Sequence, residues 1–442
     1  MQSWIRKNGS WPSDLVLTLF QQLAAPEDPP DVLALARDAF TAYRGLSDAE
    51  KLTVLRAVAQ DYGADDGLLE QAISSYRTDA AAGQAAIRAA LETRRERLIR
   101  RLSLVPEATE LLIDVRADVL RNLPSAPEVG SVDKDLLRAF EYWFSPGFLT
   151  LRRVDWTSSA RLLRQLIDYE AVHEITGWDD LRRRLEPADR RCYAFFHPNL
   201  PDTPLIFVEI ALTKAIPGAI AELLDHGRTP IRADQATTAV FYSISNCQVG
   251  LRGIPFGRFL IKQVMEVLAA ELPRLQRFVT LSPAPQFATW LRAMRAKQSP
   301  LVADLQAELT ILDNPEWAER RELRDAVRPA LFAACARYFL RPCSAGEPMI
   351  DPVARFHLGN GARLEALQFL GDPSPKGLRQ SYGVMVNYLY DEQKIDQRYR
   401  LFHAEGVAAV SPGLRRLSAS RQAPIWRQKN RFRGLTLLWA GN

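Results

Sequence analysis

The hydrophobic pattern of this chain changes its period once, and this change limits the fold more than any other feature. From residue 15 to about residue 123, apolar side chains recur every three or four positions, as in Leu52, Leu55 and Val58, which is the spacing of amphipathic helices. Short apolar runs of strand character then appear at 192–196, 205–212, 237–245, 277–281 and 384–390, with helical patterns between most of them. The sequence therefore predicts an all-helical N-terminal domain followed by a mixed α/β domain.

Turn-forming residues mark the boundary between these domains. Pro124, Pro127 and Gly130 interrupt the helical pattern, and Pro146 and Gly147 follow one further helix. We place a helical domain at residues 1–145, an α/β domain at 146–410 and a basic tail at 411–442. Within the first domain, residues 47–50 have the spacing of a capping box, and the charged, alanine-rich stretch at 80–120 predicts one long helix with a solvated face.

The charge of the chain favours anionic partners only weakly. The formal net charge is +5 and the sequence pI is about 9.0. Much of the excess lies in a C-terminal stretch without acidic residues, which contains Arg415, Arg416, Arg421, Arg427, Lys429, Arg431 and Arg433. We interpret this stretch as a solvated terminus, and we expect neither a nucleic-acid nor a membrane partner.

Cysteine usage and hydropathy indicate the compartment. Cys192, Cys247, Cys335 and Cys343 are too few for a disulfide framework and lack the spacing of a zinc site. We expect them to be buried thiols, and we expect no bound metal. No apolar stretch reaches the roughly 18 residues that a membrane span requires, and residues 1–7 are not followed by the apolar region of a signal peptide. These features predict a cytoplasmic protein.

A glycine-rich turn is a candidate phosphate site. It lies between the strand-like run at 237–245 and the helical pattern at 259–272, and its central part consists of Arg252, Gly253, Ile254, Pro255, Phe256, Gly257 and Arg258. Glycines allow backbone amides to approach an anion, and the N-terminus of a helix adds positive charge. Pro255, however, lacks an N–H, and turns of this kind often serve only as connections.

Two residues are candidates for chemistry. Ser282 follows the run at 277–281, and ligands of open α/β sheets bind beyond the carboxyl ends of strands. His357 precedes a Gly-Asn-Gly turn at 359–361 that can hold the ring facing a cleft. A strand-end serine bonded to nearby backbone and a buried structural histidine are the alternatives at these two positions. Local pattern alone does not decide between them.

Several segments resemble the malonyl-CoA decarboxylase family, in the same order along the chain. They are Leu-Ser-Pro-x-Pro around Ser282, Pro-Val-Ala-x-Phe-His-Leu-x-Asn-Gly-Ala around His357, and the runs at 204–213, 241–245 and 385–390. The resemblance extends from about residue 148 to about residue 390. It implies a GNAT-like catalytic domain, a helical domain used for homo-oligomerisation, and a carboxy-lyase that converts malonyl-CoA to acetyl-CoA and carbon dioxide.

The resemblance also implies roles for individual residues. Ser282 and His357 form the catalytic pair, Tyr390 helps to hold the acyl group, and residues 252–258 hold the coenzyme phosphates. In this hypothesis Ser282 binds the departing carboxylate, and His357, whose ordinary pKa is near neutral, delivers the proton. The thioester accepts the electron pair itself, so neither a metal nor an organic cofactor is expected. An acyl-CoA-dependent acyltransferase and a non-catalytic acyl-CoA-binding scaffold remain as alternatives.

Overall fold

The computed structural model describes residues 12–340 and 351–418, and the chain divides into two compact units. The first comprises Met1–Thr150, Phe195–Leu205 and Asn246–Pro255, and the second comprises Leu151–Ala194, Ile206–Ser245 and Phe256–Asn442. Cys343 and most of the cations of the predicted tail lie outside the described residues. The predicted fold class, a helical region followed by a mixed sheet domain, is confirmed.

The first unit is built from helices. In the described residues these are α1 (Pro12–Leu23), α2 (Val32–Arg44), α3 (Asp48–Asp61), α4 (Asp66–Thr78), α5 (Ala80–Ala90), α6 (Arg94–Leu102), α7 (Ala108–Asn122) and α8 (Gly130–Trp143). The predicted capping box is confirmed, because Ser47 N–H donates to Glu50 at 2.8 Å and Ser47 Oγ accepts from Glu50 N–H at 3.4 Å. The box starts α3 by satisfying two backbone donors that the helix itself leaves free.

The prediction of one long helix at 80–120 was wrong, since three helices occupy this stretch. A second capping box begins α6, where Thr93 Oγ1 accepts from Glu96 N–H at 3.0 Å and Glu96 accepts from Thr93 N–H at 2.9 Å. This box breaks the helix because its first residue takes an extended backbone conformation. The composition of the stretch is helical throughout, but its caps divide it.

The expected solvated face is present, since Arg88, Arg94 and Arg100 are exposed, but other charged residues of this stretch are not part of it. Arg95, Arg101 and Arg116 are buried. Arg95 donates to Asp135 at 2.8 Å, and Arg116 donates to Asp133 at the same distance. Each buried cation therefore has an anionic partner, as burial of charge requires, and these arginines connect helices in the core of the unit.

The second unit contains a mixed sheet. Its strands are β1 (Thr150–Arg153), β2 (Arg190–Phe196), β3 (Ile206–Thr213), β4 (Thr238–Asn246), β5 (Arg277–Thr280), β6 (Ser282–Pro283), β7 (Arg363–Gln368) and β8 (Met385–Tyr390). Its helices are α9 (Ala160–Tyr169), α10 (Trp178–Leu185), α11 (Ala221–Leu224), α12 (Phe256–Glu271), α13 (Phe287–Ala296), α14 (Gln306–Leu309), α15 (Arg321–Leu340), α16 (Pro352–Gly359), α17 (Pro375–Ser381), α18 (Ile395–Glu405) and α19 (Pro412–Ser418).

The sheet order is β1-β2-β3-β4-β5-β8-β6, and β7 also pairs with β8. β4 and β5 are parallel, whereas β5, β6 and β7 are antiparallel to β8. Leu205 N–H donates to Phe195 O and Leu212 N–H donates to Asp189 O, both at 2.9 Å. Since these partners run in opposite directions along the chain, β2 and β3 form an antiparallel hairpin through the short connection at 197–204.

Cys192, Cys247 and Cys335 are buried, as the sequence predicts. None of the helices in the described parts of the chain combines the length and the apolar character needed to cross a bilayer. Across the same residues, no group of three or more histidine, cysteine, aspartate and glutamate side chains is arranged to hold a metal ion.

Candidate active site

The sheet of the second unit opens into a wedge between two neighbouring strands. β4 and β5 pair from Thr238 and Arg277 to Phe241 and Thr280, and the last bond runs from Leu281 N–H to Phe241 O at 3.2 Å. Beyond this point the chain of β5 continues as β6, which pairs only with β8. The register of β4 with β5 therefore ends at Phe241, and the two strands separate beyond this point.

Two hydroxyl groups line the β6 side of this wedge. Thr280 and Ser282 are two positions apart, so their side chains lie on the same face of the sheet. Ser282 Oγ donates to Thr280 Oγ1 at 2.9 Å, and Tyr388 N–H donates to the same threonine oxygen at 3.2 Å. Thr280 is fully buried and Ser282 is 6% exposed. The serine hydroxyl is thus held in place by a neighbour that the sequence analysis did not single out.

The histidine of the site is carried by the short helix α16. Asp351 caps this helix by accepting from the N–H groups of Val353 and Ala354, both at 3.0 Å, and it also accepts from the Tyr338 hydroxyl at 3.1 Å. At the other end, Gly361 has φ +87°, and a side chain there would meet the backbone oxygen of Ile395, the first residue of α18, at 2.3 Å. Both ends of α16 are fixed, so His357 has little freedom to move.

A chain of hydrogen bonds joins the predicted catalytic residues. Ser282 Oγ lies 3.1 Å from His357 Nε2, and His357 Nδ1 lies 2.9 Å from Tyr390 Oη. The imidazole also stacks on the Tyr388 ring, with centroids 4.6 Å apart and planes 27° apart. Ser282, His357 and Tyr390, which the sequence spreads over more than a hundred positions, are therefore brought together on one face of the sheet.

Burial controls the protonation of His357 and Tyr390. His357 is 4% exposed, and desolvation lowers its pKa from 6.5 to about 3, while the same effect raises the pKa of Tyr390 well above 10. Both groups are neutral near pH 7. The near-neutral pKa of a solvated imidazole therefore does not apply to His357, because burial disfavours the charged ring.

One assignment of protons satisfies every hydrogen bond that links Thr280, Ser282, His357 and Tyr390. Ser282 has a single hydroxyl proton and gives it to Thr280, so Ser282 Oγ accepts from His357 Nε2–H. A neutral imidazole carries only one proton, so Nδ1 accepts from the Tyr390 hydroxyl. The site thus presents a neutral imidazole whose N–H points at the serine oxygen.

The predicted phosphate turn is divided between the two units. Residues 252–255 belong with the helical unit, where Arg116 donates to the backbone carbonyl oxygens of Gly250 and Arg252 at 2.7 and 2.8 Å. Arg252, Gly253 and Pro255 are exposed, whereas Ile254 is buried. Gly253 has φ +92°, a conformation that glycine adopts readily. These carbonyl groups point at Arg116, which fixes the shape of the turn.

The rest of the turn begins helix α12 of the sheet unit. Phe256 and Gly257 are buried in its first turn. A side chain at Gly257 would lie 2.5 Å from the Phe356 ring of α16, so this glycine permits two helices to touch. Arg258 forms an ion pair with Asp396 and stacks over Tyr399, 4.1 Å from its ring centre. The Arg258 charge is therefore already partnered, which the sequence analysis did not foresee.

Comparisons with known proteins all identify the same family. Residues 62–144 match the model of the malonyl-CoA decarboxylase N-terminal domain, and residues 147–428 match that of the C-terminal domain. The chain is 33% identical over 433 residues to a protein of Anser anser anser named "Malonyl-CoA decarboxylase, mitochondrial", covering 89% of this chain and 83% of that protein.

Solved structures agree with this result. A malonyl-CoA decarboxylase structure from Rhodopseudomonas palustris has 46% sequence identity and a TM-score of 0.86, and it covers 92% of this chain and 100% of its own. A malonyl-CoA decarboxylase structure from Agrobacterium vitis has the same identity and coverage with a TM-score of 0.85.

Proposed function

The chain belongs to the malonyl-CoA decarboxylase family, and from this premise we propose that it releases carbon dioxide from malonyl-CoA through the pair Ser282 and His357. The observation that carries the mechanism is the 3.1 Å contact between Ser282 Oγ and His357 Nε2 at the wedge between β4 and β6. Ligands of open α/β sheets bind at such openings beyond the carboxyl ends of strands.

The reaction needs stabilisation of negative charge on the thioester. Cleavage of the bond to the carboxylate carbon leaves its electron pair on the α-carbon and the thioester oxygen as an enolate. A positioned donor in a water-poor site lowers such a barrier by roughly 3 kcal/mol. Ser282 is 6% exposed. In this mechanism its hydroxyl turns from Thr280 to the departing carboxylate.

The proton is delivered by His357, which takes it up when substrate binds. Burial lowers the pKa of the imidazole and keeps it neutral near pH 7, but a carboxylate placed beside it raises the pKa, because an opposite charge favours the charged form. The imidazolium then donates from Nε2 to the α-carbon, and its Nδ1–H donates to Tyr390 Oη. Malonyl-CoA and one proton thus give acetyl-CoA and carbon dioxide, with the histidine returned to its neutral state.

Binding of the coenzyme phosphates is proposed at the N-terminus of α12. The positive end of this helix suits an anion, and Phe256 and Gly257 lie in its first turn. Arg258 contributes less than the sequence suggests, since Asp396 already neutralises it. Contacts of Arg252, Gly253, Ile254 and Pro255 with the phosphates stay a prediction from the sequence.

A turnover assay tests this proposal. We expect His357→Ala and Ser282→Ala each to lower kcat for carbon dioxide release by at least about 100-fold, the usual contribution of a positioned proton donor. Binding of acetyl-CoA, measured by calorimetry, should change little. His226→Ala is the matched control, because His226 is exposed on the same unit and should retain full activity. Near-normal turnover in His357→Ala would rule out the assigned role.

The absence of a cofactor requirement is part of the proposal. The thioester carbonyl accepts the electron pair, so the chemistry calls for no further electron acceptor. Dialysis of the enzyme against EDTA should therefore leave kcat unchanged, with a metal-dependent hydrolase treated in parallel to prove that the chelation is effective. Loss of activity that zinc or magnesium restores would contradict this part.

Homo-oligomerisation through the helical unit is also proposed. Helices α4 and α5 pack closely on each other, because Gly83 lies against the backbone of Tyr76 with no space for a side chain. Leu68, Tyr76 and Leu91 are 54, 42 and 55% exposed. Light scattering should show an oligomer for the wild type and a smaller species for Leu68→Asp, with Asp65→Asn as a control of unchanged mass.

A further inference from the structure

We propose that Phe241 determines how large a substituent the α-carbon of the acyl group can carry, and so excludes 2-substituted malonyl thioesters. This inference rests on the proposed function, because it takes Ser282 and His357 as the groups that face the reacting carbon. A side chain that packs beside these groups on the same face of the sheet limits the space for the acyl group.

Phe241 lies at the point where the wedge closes. It is the last residue of β4 that pairs with β5, and its register partner is Thr280. Register partners in a parallel pair point to the same face of the sheet. The Phe241 side chain is therefore on the face that carries Thr280 and Ser282, and it is 1% exposed.

Ring contacts place Phe241 one side chain away from the imidazole. Its ring meets Tyr390 edge to face, with centroids 6.3 Å apart and planes 88° apart. Tyr390 Oη is the group that bonds His357 Nδ1 at 2.9 Å. Phe278 of β5, the register partner of Tyr390, also stacks on Phe241, with centroids 6.5 Å apart. Phe241 thus packs against two aromatic rings, which limit its movement.

This packing leaves the end of the wedge rigid and apolar. Protein interiors are close-packed, so a substituent of one methyl group needs space that the structure must already provide. Malonyl-CoA has two hydrogens on its α-carbon, whereas methylmalonyl-CoA carries a methyl group there. One methylene in an apolar pocket typically changes kcat/KM by roughly 10- to 200-fold. A shorter side chain at position 241 should therefore relax the preference.

The experiment compares two substrates in matched variants. The probes are malonyl-CoA, giving acetyl-CoA, and methylmalonyl-CoA, which with one proton gives propionyl-CoA and carbon dioxide. For Phe241→Leu we expect the ratio of kcat/KM for methylmalonyl-CoA to that for malonyl-CoA to rise by about tenfold or more. Phe207→Leu is the control, because Phe207 is fully buried in β3 of the same sheet. It loses a comparable volume but should leave the ratio within about twofold.

The outcomes separate the inference from the function on which it rests. A folded Phe241→Leu enzyme with an unchanged ratio overturns the inference, as does an equal rise in Phe207→Leu. A wild-type enzyme that decarboxylates neither substrate overturns the proposed function instead. If thermal melting shows that Phe241→Leu does not fold, Phe241→Met replaces it, since methionine is also smaller than phenylalanine and its flexible side chain adapts to its neighbours. The same rise in the ratio is expected there.

Discussion

The core of the helical unit and the active site of the sheet unit both bury ionisable groups, but they satisfy them differently. In the helical core the buried arginines Arg95 and Arg116 each have a carboxylate at 2.8 Å, from Asp135 and Asp133 respectively. In the site, His357 and Tyr390 are neutral and bond each other, and only burial shifts their pKa values. The first arrangement is complete in itself. The second leaves the place of the counter-charge to a substrate.

The largest effect should come from breaking a pair in the helical core. Asp135→Ala leaves the Arg95 charge buried and unpaired, which typically costs about 3–5 kcal/mol. We expect the free energy of unfolding, measured by urea titration, to fall by that amount. The double variant Arg95→Met with Asp135→Leu should recover most of it, because apolar residues of similar volume often replace a buried pair without loss. A double variant as unstable as the single one would contradict this account.

Removing a partner in the site should affect rate more than stability. Tyr390→Phe deletes the acceptor for Nδ1–H of the imidazolium that forms during turnover. A hydrogen bond to a charged group contributes about 1.5–3 kcal/mol, so kcat should fall by roughly 10- to 150-fold while the melting temperature changes little. Tyr399→Phe serves as the control, since Tyr399 stacks under Arg258 outside the hydrogen-bonded chain. Equal rates for Tyr390→Phe and wild type would remove Tyr390 from the mechanism.

The lowered pKa of buried His357 also predicts that the stability of the protein depends on pH. An unfolded chain protonates His357 below about pH 6.5, whereas the folded state resists protonation down to about pH 3. Since the unfolded state binds more protons in this range, stability is lost as the pH falls through it. At pH 5.5 the wild type should lose about 1.4 kcal/mol more than His357→Gln, relative to pH 7.5. Parallel pH curves for both proteins would show that the folded state takes up the proton.

A smaller effect on kcat is expected from removing the hydrogen bond that positions Ser282. Thr280→Val removes the acceptor of the serine hydroxyl but keeps the shape of the side chain, and a neutral hydrogen bond contributes about 0.5–1.5 kcal/mol. We expect kcat to fall by about fivefold. Thr280→Ser keeps the hydroxyl and should restore the rate to within a factor of about two. If both variants behave alike, the effect belongs to packing and not to the hydrogen bond.

Local pattern was enough to predict the helical and strand regions and the capping box at Ser47. It failed for residues 80–120, where composition suggested one helix but the Thr93 box starts a new one. The signal was present, because Thr93 and Glu96 have the same spacing as Ser47 and Glu50. The capping signal at Thr93 therefore outweighs the helical composition of the stretch.

The features of the candidate site also differ in how far the sequence predicts them. Thr280 could have been found from the sequence, since alternation along a strand places it beside Ser282. The approach of Ser282 to His357, 75 positions apart, came from family resemblance and not from spacing. The lowered pKa of His357 and the pairing of Arg258 with Asp396, 138 positions away, depend on tertiary packing that no local pattern contains.

Gly257 brings helix α12 into direct contact with helix α16. A Cβ atom at this position would lie 2.5 Å from the Phe356 ring, so not even a methyl group fits between the two helices, and Phe356 is the neighbour of His357. A displacement of α12 toward α16 would therefore shift the helix that carries the imidazole, so substitutions that move the start of α12 should also disturb the Ser282–His357 contact.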